Sequence, residues 1–564
     1  MHVLNLRSGG DSWVIANGIF FKGHFFDKCG RFYRASEACG YFSNFNNAAE
    51  IIAKIKEANG SFALMIKAKG MNLIAVDRLR SIPLFYSAGS EFLVSDDPRE
   101  VVENLKETPK PLLRSLDEYM LSGFTIGAST LLEGVFQLRP GEIIFEAEGF
   151  KEKGLKSIQY YDHKNPIVEI SEDEVEFDRL DKISERWLNR LITSLEGRQL
   201  VIPLSGGYDS RYIAALVAKA GYKNTVAYTY GTISSPEVSR SKIIAERLGM
   251  QWHFVEYTEE KYKDFLNSRK HADYLNYSHL CSSTPHYQEF IALNELISLG
   301  IIQEGAVVAP GFCGDFLGGS YVPFEAKIGR EDLLLRKGLL NHVVDSQLYL
   351  KIPFFDEIPD EVIEHILEEL IRIDPNCGRL NAQEIIQCND AFFAQHKIAK
   401  YVVNSLRVYE YFGLRWRMPL WDNELMEYWY SVPYRFRGKS GLYNRYLEVR
   451  VFPPLGISMS RPGGGRLTRI LEKIYKLSLP DKWVFRTVAI FKVALEFLAR
   501  RDSTAFDIPR DFYYADLRTS DLRRTNNFVA IFTRWMVLKK YSAEISSLRV
   551  KKKKTKPSFQ ASHQ

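Results

Sequence analysis

Val201-Ile202-Pro203-Leu204-Ser205-Gly206-Gly207-Tyr208-Asp209-Ser210-Arg211 holds more structural information than any other part of the chain. An apolar run from Leu200 to Leu204 breaks into Ser-Gly-Gly-x-Asp-Ser. It resumes at helical spacing as Tyr212, Ile213, Ala214, Ala215, Leu216, Val217 and Ala218. That pattern predicts a buried strand, a tight glycine turn and a helix entered at its N-terminus. Such a junction offers unpaired backbone N–H groups and the positive end of a helix dipole, so it suits an anion. Gly206 and Gly207 let the backbone approach a ligand with no Cβ in the way. Ser205 and Ser210 add hydroxyl donors, and Asp209 can hold a cation on bound phosphates. The loop is not the kinase or GTPase type, which needs G-x-x-x-x-G-K-[ST] and has no match here. Ser8-Gly9-Gly10-Asp11-Ser12 looks similar but lacks the spacer and opens no apolar helix.

Working outward, Thr225 to Tyr230 reads as a second strand, Val238 to Leu248 as a helix ending at Gly249, and Trp252 to Tyr257 as a third strand. Alternating β and α elements predict a doubly wound parallel sheet with ligands at the carboxyl ends of its strands. A second strand-to-glycine loop follows at Ala306-Val307-Val308-Ala309-Pro310-Gly311-Phe312-Cys313-Gly314-Asp315. Asp209 and Asp315 together suit Mg²⁺, whose preference is for hard oxygen ligands. Beyond about residue 320 the pattern is mainly helical. Before residue 160 it is β-rich with two or three helices: Gly60 to Ile66 and Leu73 to Asp77 read as paired strands, Phe92 to Ser95 alternates as a further one, and Pro140-Gly141 turns a hairpin. An acidic helix from Ser171 to Leu195, with Val175, Leu180, Ile183, Trp187 and Leu191 on one face, links the two halves.

The length of 564 residues allows two to four domains. Hydrophobic and charged fractions of 46% and 26% exclude a disordered chain. No apolar run reaches the roughly 18 residues of a membrane span; Trp483 to Leu498 comes nearest and is broken by Arg486, Lys492 and Glu496. No signal-peptide core follows Met1, and the six cysteines lack metal-ligand spacing, so a cytoplasmic protein with reduced thiols is expected. From Arg466 onward stand 22 Lys and Arg against 9 Asp and Glu, about +13, so the remainder is net acidic within the total of +6. The end of that stretch, Lys551 to Lys556, reads as a solvated, disordered tail. It has no aromatic interleaving, so no specific nucleic-acid partner is expected.

The Ser-Gly-Gly-x-Asp-Ser loop resembles the pyrophosphate loop of enzymes that split ATP into AMP and pyrophosphate. With the second loop and Arg417-Met418-Pro419-Leu420-Trp421-Asp422, it is similar to the synthetase domain of the asparagine synthetase family. Gly60-Ser61-Phe62-Ala63, Val76-Asp77-Arg78-x-Arg80-Ser81-Ile82-Pro83-Leu84-Phe85-Tyr86 and Leu138-Arg139-Pro140-Gly141-Glu142 resemble that family's class II glutamine amidotransferase domain. β-Lactam synthetase is a further relative in kind. The resemblance implies an α/β multidomain chain: an N-terminal Ntn-type αββα sandwich over 1–165, a helical linker over 166–199, an ATP pyrophosphatase domain with a helical C-terminal part over 200–465, and a basic helical extension over 466–564.

It further implies an AMP-forming amide ligase that uses ATP and Mg²⁺. Leu204, Ser205, Gly206, Gly207, Asp209, Ser210, Tyr228, Thr229, Pro310 and Gly311 would hold the nucleotide, and Asp209 and Asp315 the metal. Asp209, Asp315, Glu410 and Arg461 are the catalytic candidates. Substrates would be a small carboxylate, aspartate in the family's name, and ammonia, glutamine or another amine. The family's glutaminase uses an N-terminal cysteine; here the second residue is His2 and the first cysteine is Cys29, so the first domain is expected to lack glutaminase activity. Ammonia would then come from solution, from a separate glutaminase or within a homo-oligomer. Phe312 stands at the family's Glu, Phe316 at the second acid and Gly463 at a lysine. Those changes keep a second expectation open, a nucleotide-binding pseudoenzyme of the same family.

Overall fold

The computed structural model describes residues 1–88, 91–146, 154–170, 173–327, 329–348, 357–438 and 441–459, together with 509, 512–513 and 529–541. Eleven strands precede residue 160: β1 (His2–Val3), β2 (Val14–Ala16), β3 (Ile19–Phe26), β4 (Phe32–Arg34), β5 (Asn59–Ala68), β6 (Met71–Val76), β7 (Phe85–Ser87), β8 (Leu93–Ser95), β9 (Val135–Gln137), β10 (Glu142–Glu146) and β11 (Leu155–Gln159). Among the described residues they form two sheets. The larger runs β11-β10-β6-β5-β3-β2 with β4 added on β3, and the smaller runs β1-β8-β7-β9.

Side chains on β5 alternate between two cores, as a period of two requires. Ala63 and Met65 join Ile74, Val76 and Ile144 on one face and meet Leu84, Tyr86 and Val94 of the smaller sheet. Phe62, Leu64 and Ile66 face the other way, onto helices α1 (Ala35–Ser43) and α2 (Ala48–Glu57). The smaller sheet's outer residues, Phe85, Leu93 and Val135, pack with Val101 of α3 (Pro98–Glu103). The layers are therefore α, β, β, α, the sandwich the sequence led us to expect. A central strand covered on both faces explains why β5 reads as an unbroken apolar run.

The Asp77-Arg78-x-Arg80-Ser81 segment is a turn built around one buried carboxylate. Asp77 accepts N–H groups of Leu79 at 2.8 Å and Phe62 at 3.0 Å. Arg80 adopts φ +58° and donates to Ala399 O at 3.1 Å and Gln137 Oε1 at 2.6 Å, so this turn also fastens the first domain to the second. Arg139–Glu369 at 2.6 Å and His365–Glu118 at 2.5 Å extend that buried polar contact, and Lys400 donates to Thr125 O and Gly127 O.

α4 (Leu113–Ser122) precedes the last three strands of the first domain, and α5 (Asp173–Leu195) leads into the second. Phe177, Leu180, Ile183, Trp187, Leu188, Leu191 and Leu195 of α5 are buried. Val175 was expected on that face but is 55% exposed. Five residues before Leu180, it lies about 140° around the helix from it.

In the second domain, β12 (Leu200–Pro203), β13 (Thr225–Gly231), β14 (Gln251–Glu256), β15 (Val307–Val308) and β16 (Arg415–Trp416) form one parallel sheet in the order β14-β13-β12-β15-β16. The chain runs from β12 outward through β13 to β14, then returns to the opposite side for β15. The switch point therefore lies between β12 and β15, where a doubly wound sheet opens its crevice. Both glycine loops leave the sheet there. β16 lies within the stretch read as mainly helical; a two-residue strand is too short to show periodicity. The helix over 529–541 buries Ile531, Phe532 and Val537, and Thr533 Oγ1 lies 3.0 Å from Thr284 Oγ1. The expected basic tail, Lys551 to Lys556, lies outside the described residues.

Candidate active site

β12 places the first loop. Leu200, Val201, Ile202 and Leu204 are buried, and helix α6 (Tyr208–Lys219) buries Tyr212 through Val217 against the sheet. No side chain caps α6 at Gly207, and the positive end of the helix dipole points into the loop. The loop is held in shape from within. Ser205 N–H donates to Ser210 Oγ at 3.0 Å, the two hydroxyls lie 3.1 Å apart, and Gly207 N–H donates to Ser205 Oγ at 3.2 Å. Arg211, fully buried, donates to Gly206 O at 2.6 Å and to Ile457 O at 3.2 Å.

The second loop rises from β15 and lies against the first, backbone to backbone. A Cβ on Gly311 would stand 2.7 Å from Ser210 N, and one on Gly314 would stand 2.1 Å from Asp209 Cγ. Cys313 takes the left-handed conformation, φ +72°, to turn the chain into the short helix Gly314–Leu317. The packing brings Asp209 and Asp315 to the same cavity. Asp209 Oδ1 accepts from Tyr443 OH at 3.1 Å, and Asp315 Oδ1 from Phe316 N–H at 2.9 Å. Burial raises the Asp315 pKa. Two carboxylates with phosphate oxygens and water completing the shell are a donor set that fits Mg²⁺. Among the described residues no cluster of three or more His, Cys, Asp or Glu side chains forms a denser metal site.

Two cavities open at this edge of the sheet. The first, about 240 Å³, is lined by Leu204, Ser205, Gly207, Asp209, Ser210, Tyr228, Thr229, Pro310 and Gly311, among others. Of the residues predicted to hold nucleotide, Gly206 alone does not line it; a Cβ there would meet Arg240 Cδ at 3.2 Å. The second cavity, about 360 Å³, is lined by Asp209, Asp315, Phe312, Tyr321 and Tyr401, among others. Asp209, Tyr230, Gln288, Glu289, Gly311 and Phe312 border both.

Glu410 requires correction. It lines neither of the two cavities. It is 5% exposed, pairs with Arg407 at 2.8 Å, accepts from Trp416 Nε1 at 3.0 Å and packs under Gly9 and Gly10 of the first domain. The acid that does enter the site is Glu289, which sequence reading missed. Tyr228 OH donates to it, and Tyr409 OH lies 3.0 Å from Oε2; burial, partly offset by these hydroxyls, pushes its pKa up to about 7. It stands in a loop with no glycine pattern or spacing to mark it. Arg461 and Gly463 lie outside the described residues.

This arrangement is that of a nucleotide-dependent ligase domain behind an amidotransferase-type sandwich, and comparison with known proteins gives it a family. The asparagine synthase family model matches residues 196–487, just over half of the chain, and the glutamine amidotransferase domain model matches residues 49–161. The chain belongs to the asparagine synthase family.

No curated protein matches it. Among solved structures, an NH3-dependent NAD synthetase from Campylobacter jejuni is similar at 16% identity and TM-score 0.19, covering 25% of this chain and 59% of that one. A glutamine phosphoribosylpyrophosphate amidotransferase from B. subtilis is similar at 11% identity and TM-score 0.17, covering 54% and 58%. The chain thus spans less than two thirds of either protein.

Proposed function

We propose that the protein activates a small carboxylate with ATP, releases pyrophosphate, and passes the acyl group to an amine. The observation that carries this is the meeting of Asp209 and Asp315, from loops of adjacent parallel strands, at one cavity beside an uncapped helix N-terminus. The N-terminus of α6, with Ser205 and Ser210, would hold the leaving pyrophosphate. Tyr228, Thr229, Pro310 and Gly311 would border the nucleoside. Mg²⁺ bound by Asp209 and Asp315 would offset negative charge on the phosphates.

A carboxylate oxygen attacks the α-phosphorus and the bond to pyrophosphate breaks, giving an acyl-adenylate. The amine then adds to the acyl carbon, AMP departs with the bonding electrons, and the nitrogen loses its surplus protons. Donors already aimed at the leaving group stabilise charge as it develops there, at no cost of reorganisation during the reaction. In this reading the amine reaches the chain as a separate substrate. Cys29, its first cysteine, is exposed in the turn after β3, its N–H bound to Asp27.

The test is pyrophosphate release from Mg·ATP across a panel of carboxylates, with Asp209→Asn alongside. Release that requires a carboxylate and vanishes in the variant supports the reading. Intact ATP binding with no release for any carboxylate would favour the pseudoenzyme, which the phenylalanines at 312 and 316 already suggest.

A further inference from the structure

The second cavity has a composition that the family's aspartate does not explain. Asp209, Asp315 and Glu289 give it three carboxylates, and no lysine or arginine lines it among the described residues. Mg²⁺ on Asp209 and Asp315 would leave Glu289 as the acid without a positive partner. His286, also in the wall, has its pKa lowered to about 4 by burial, so it is neutral, and its Nε2 is buried with no hydrogen-bond partner. Lys397 lies over the rings of Tyr321 and Phe393 at 5.3 and 5.5 Å, and its charge is felt by Asp315. Tyr230, Phe312, Tyr321 and Tyr401 supply aromatic walls. Among the described lining residues a dianion with its own ammonium would find no arginine or lysine to pair its carboxylates. An ammonium group beside aromatic faces and a carboxylate is, by contrast, a favourable match.

Size points the same way. At about 360 Å³ the cavity far exceeds the roughly 10–15 Å³ of such space that one water needs. We propose that the second cavity receives the nucleophile as a primary amine carried on an organic body, its ammonium group held by the Glu289 carboxylate. This rests on the nucleotide reading above. Glu289 borders both cavities, so an amine held there lies at the boundary with the acyl-adenylate. The step balances without a further reactant. The ammonium gives one proton to Glu289, the nitrogen lone pair forms the C–N bond, the C–O bond to AMP breaks, and the second nitrogen proton leaves to the departing phosphate oxygen or to water. Tyr228 and Tyr409, bound to Glu289, are positioning residues for it.

The experiment is a calorimetric titration of the full chain, loaded with Mg²⁺ and a non-hydrolysable ATP analogue. The probes are 1,4-diaminobutane, glucosamine and lysine amide on one side and aspartate and glutarate on the other. At least one amine is expected to bind and neither dicarboxylate. Glu289→Gln should weaken the amine about tenfold or more, the effect of losing a charge-assisted bond. Glu289→Asp, which keeps the charge, should recover part of it and so separate lost charge from lost fold. Preference for a dicarboxylate, absence of binding by every amine, or unchanged amine affinity in Glu289→Gln would each overturn the proposal. If the ATP analogue itself fails to bind, the nucleotide reading falls, and that outcome is seen before any acceptor is added.

Discussion

Gly314 and Asp209 are in contact so close that a methyl group on the glycine would stand 2.1 Å from the aspartate Cγ. The pairing fixes how the two glycine loops meet: the second loop has no side chain at this point, and the Asp209 carboxylate occupies the space. Gly314→Ala should push Asp209 out of place. Overpacking of this kind costs about 1–3 kcal/mol, so thermal unfolding should come earlier, and Mg·ATP affinity should fall with it.

Asp209→Asn and Asp315→Asn remove the two hard-oxygen ligands without changing side-chain size. Each should lower pyrophosphate release by about 10²–10³-fold, the usual loss when a group that stabilises transition-state charge is removed. The folded state should survive both, because Asp315 is raised in pKa by burial and loses little when neutral. Steady-state kinetics across Mg²⁺ concentrations, with a melting curve for each variant, checks both halves.

Arg211 ties the first loop to the segment leading towards Arg461, through Gly206 O, Ile457 O and, at 3.4 Å, Met459 O. Arg211→Met keeps the bulk but leaves buried carbonyls unpaired. A cost of about 1–3 kcal/mol is expected from each group so stranded. Nucleotide affinity should drop more than in a surface arginine control such as Arg269→Met, and paired unfolding and binding measurements read both effects.

Acid should loosen the molecule through its buried histidines. Burial lowers His271 and His396 to about 4 and His163 to about 3 from 6.5. Their pKa values are lower folded than unfolded, so the unfolded chain binds more protons as pH falls below 6.5. Stability is full above that pH and lost down to the folded values, each histidine adding up to about 1.4 kcal/mol per pH unit. Burial alone would raise Glu369, but its bond to His396 and the charges of Arg139 and Arg372 hold it well below 4.5. Its contribution is present above pH 4.5 and lost below. Urea midpoints between pH 7 and 4 should fall steadily, and Glu369→Gln should flatten the lower end of that curve.

Much of the fold was legible because its signals are local. The strand, glycine turn and helix around Ser205–Ser210 follow one another in sequence, as do β13, α7 (Pro236–Arg247) and β14. The first cavity inherits that legibility: nine of the ten residues named for a nucleotide line it. What escaped is what only tertiary packing creates. Glu289 is a lone acid in a loop, and its importance comes from Tyr228 and Tyr409, 61 and 120 residues away. Glu410 failed for the mirror reason: it stands within Arg407–Tyr411, a five-residue helix that gives no clue that Arg407, Trp416 and the Gly9-Gly10 turn enclose it.

Phosphorus NMR of Mg·ATP turned over by the purified protein, with a carboxylate panel and an amine, tests the assignment most directly. AMP and pyrophosphate in equal amounts, dependent on the carboxylate and absent with Asp209→Asn, is the expected result. ADP and phosphate as the products, or turnover indifferent to Asp209, would contradict it.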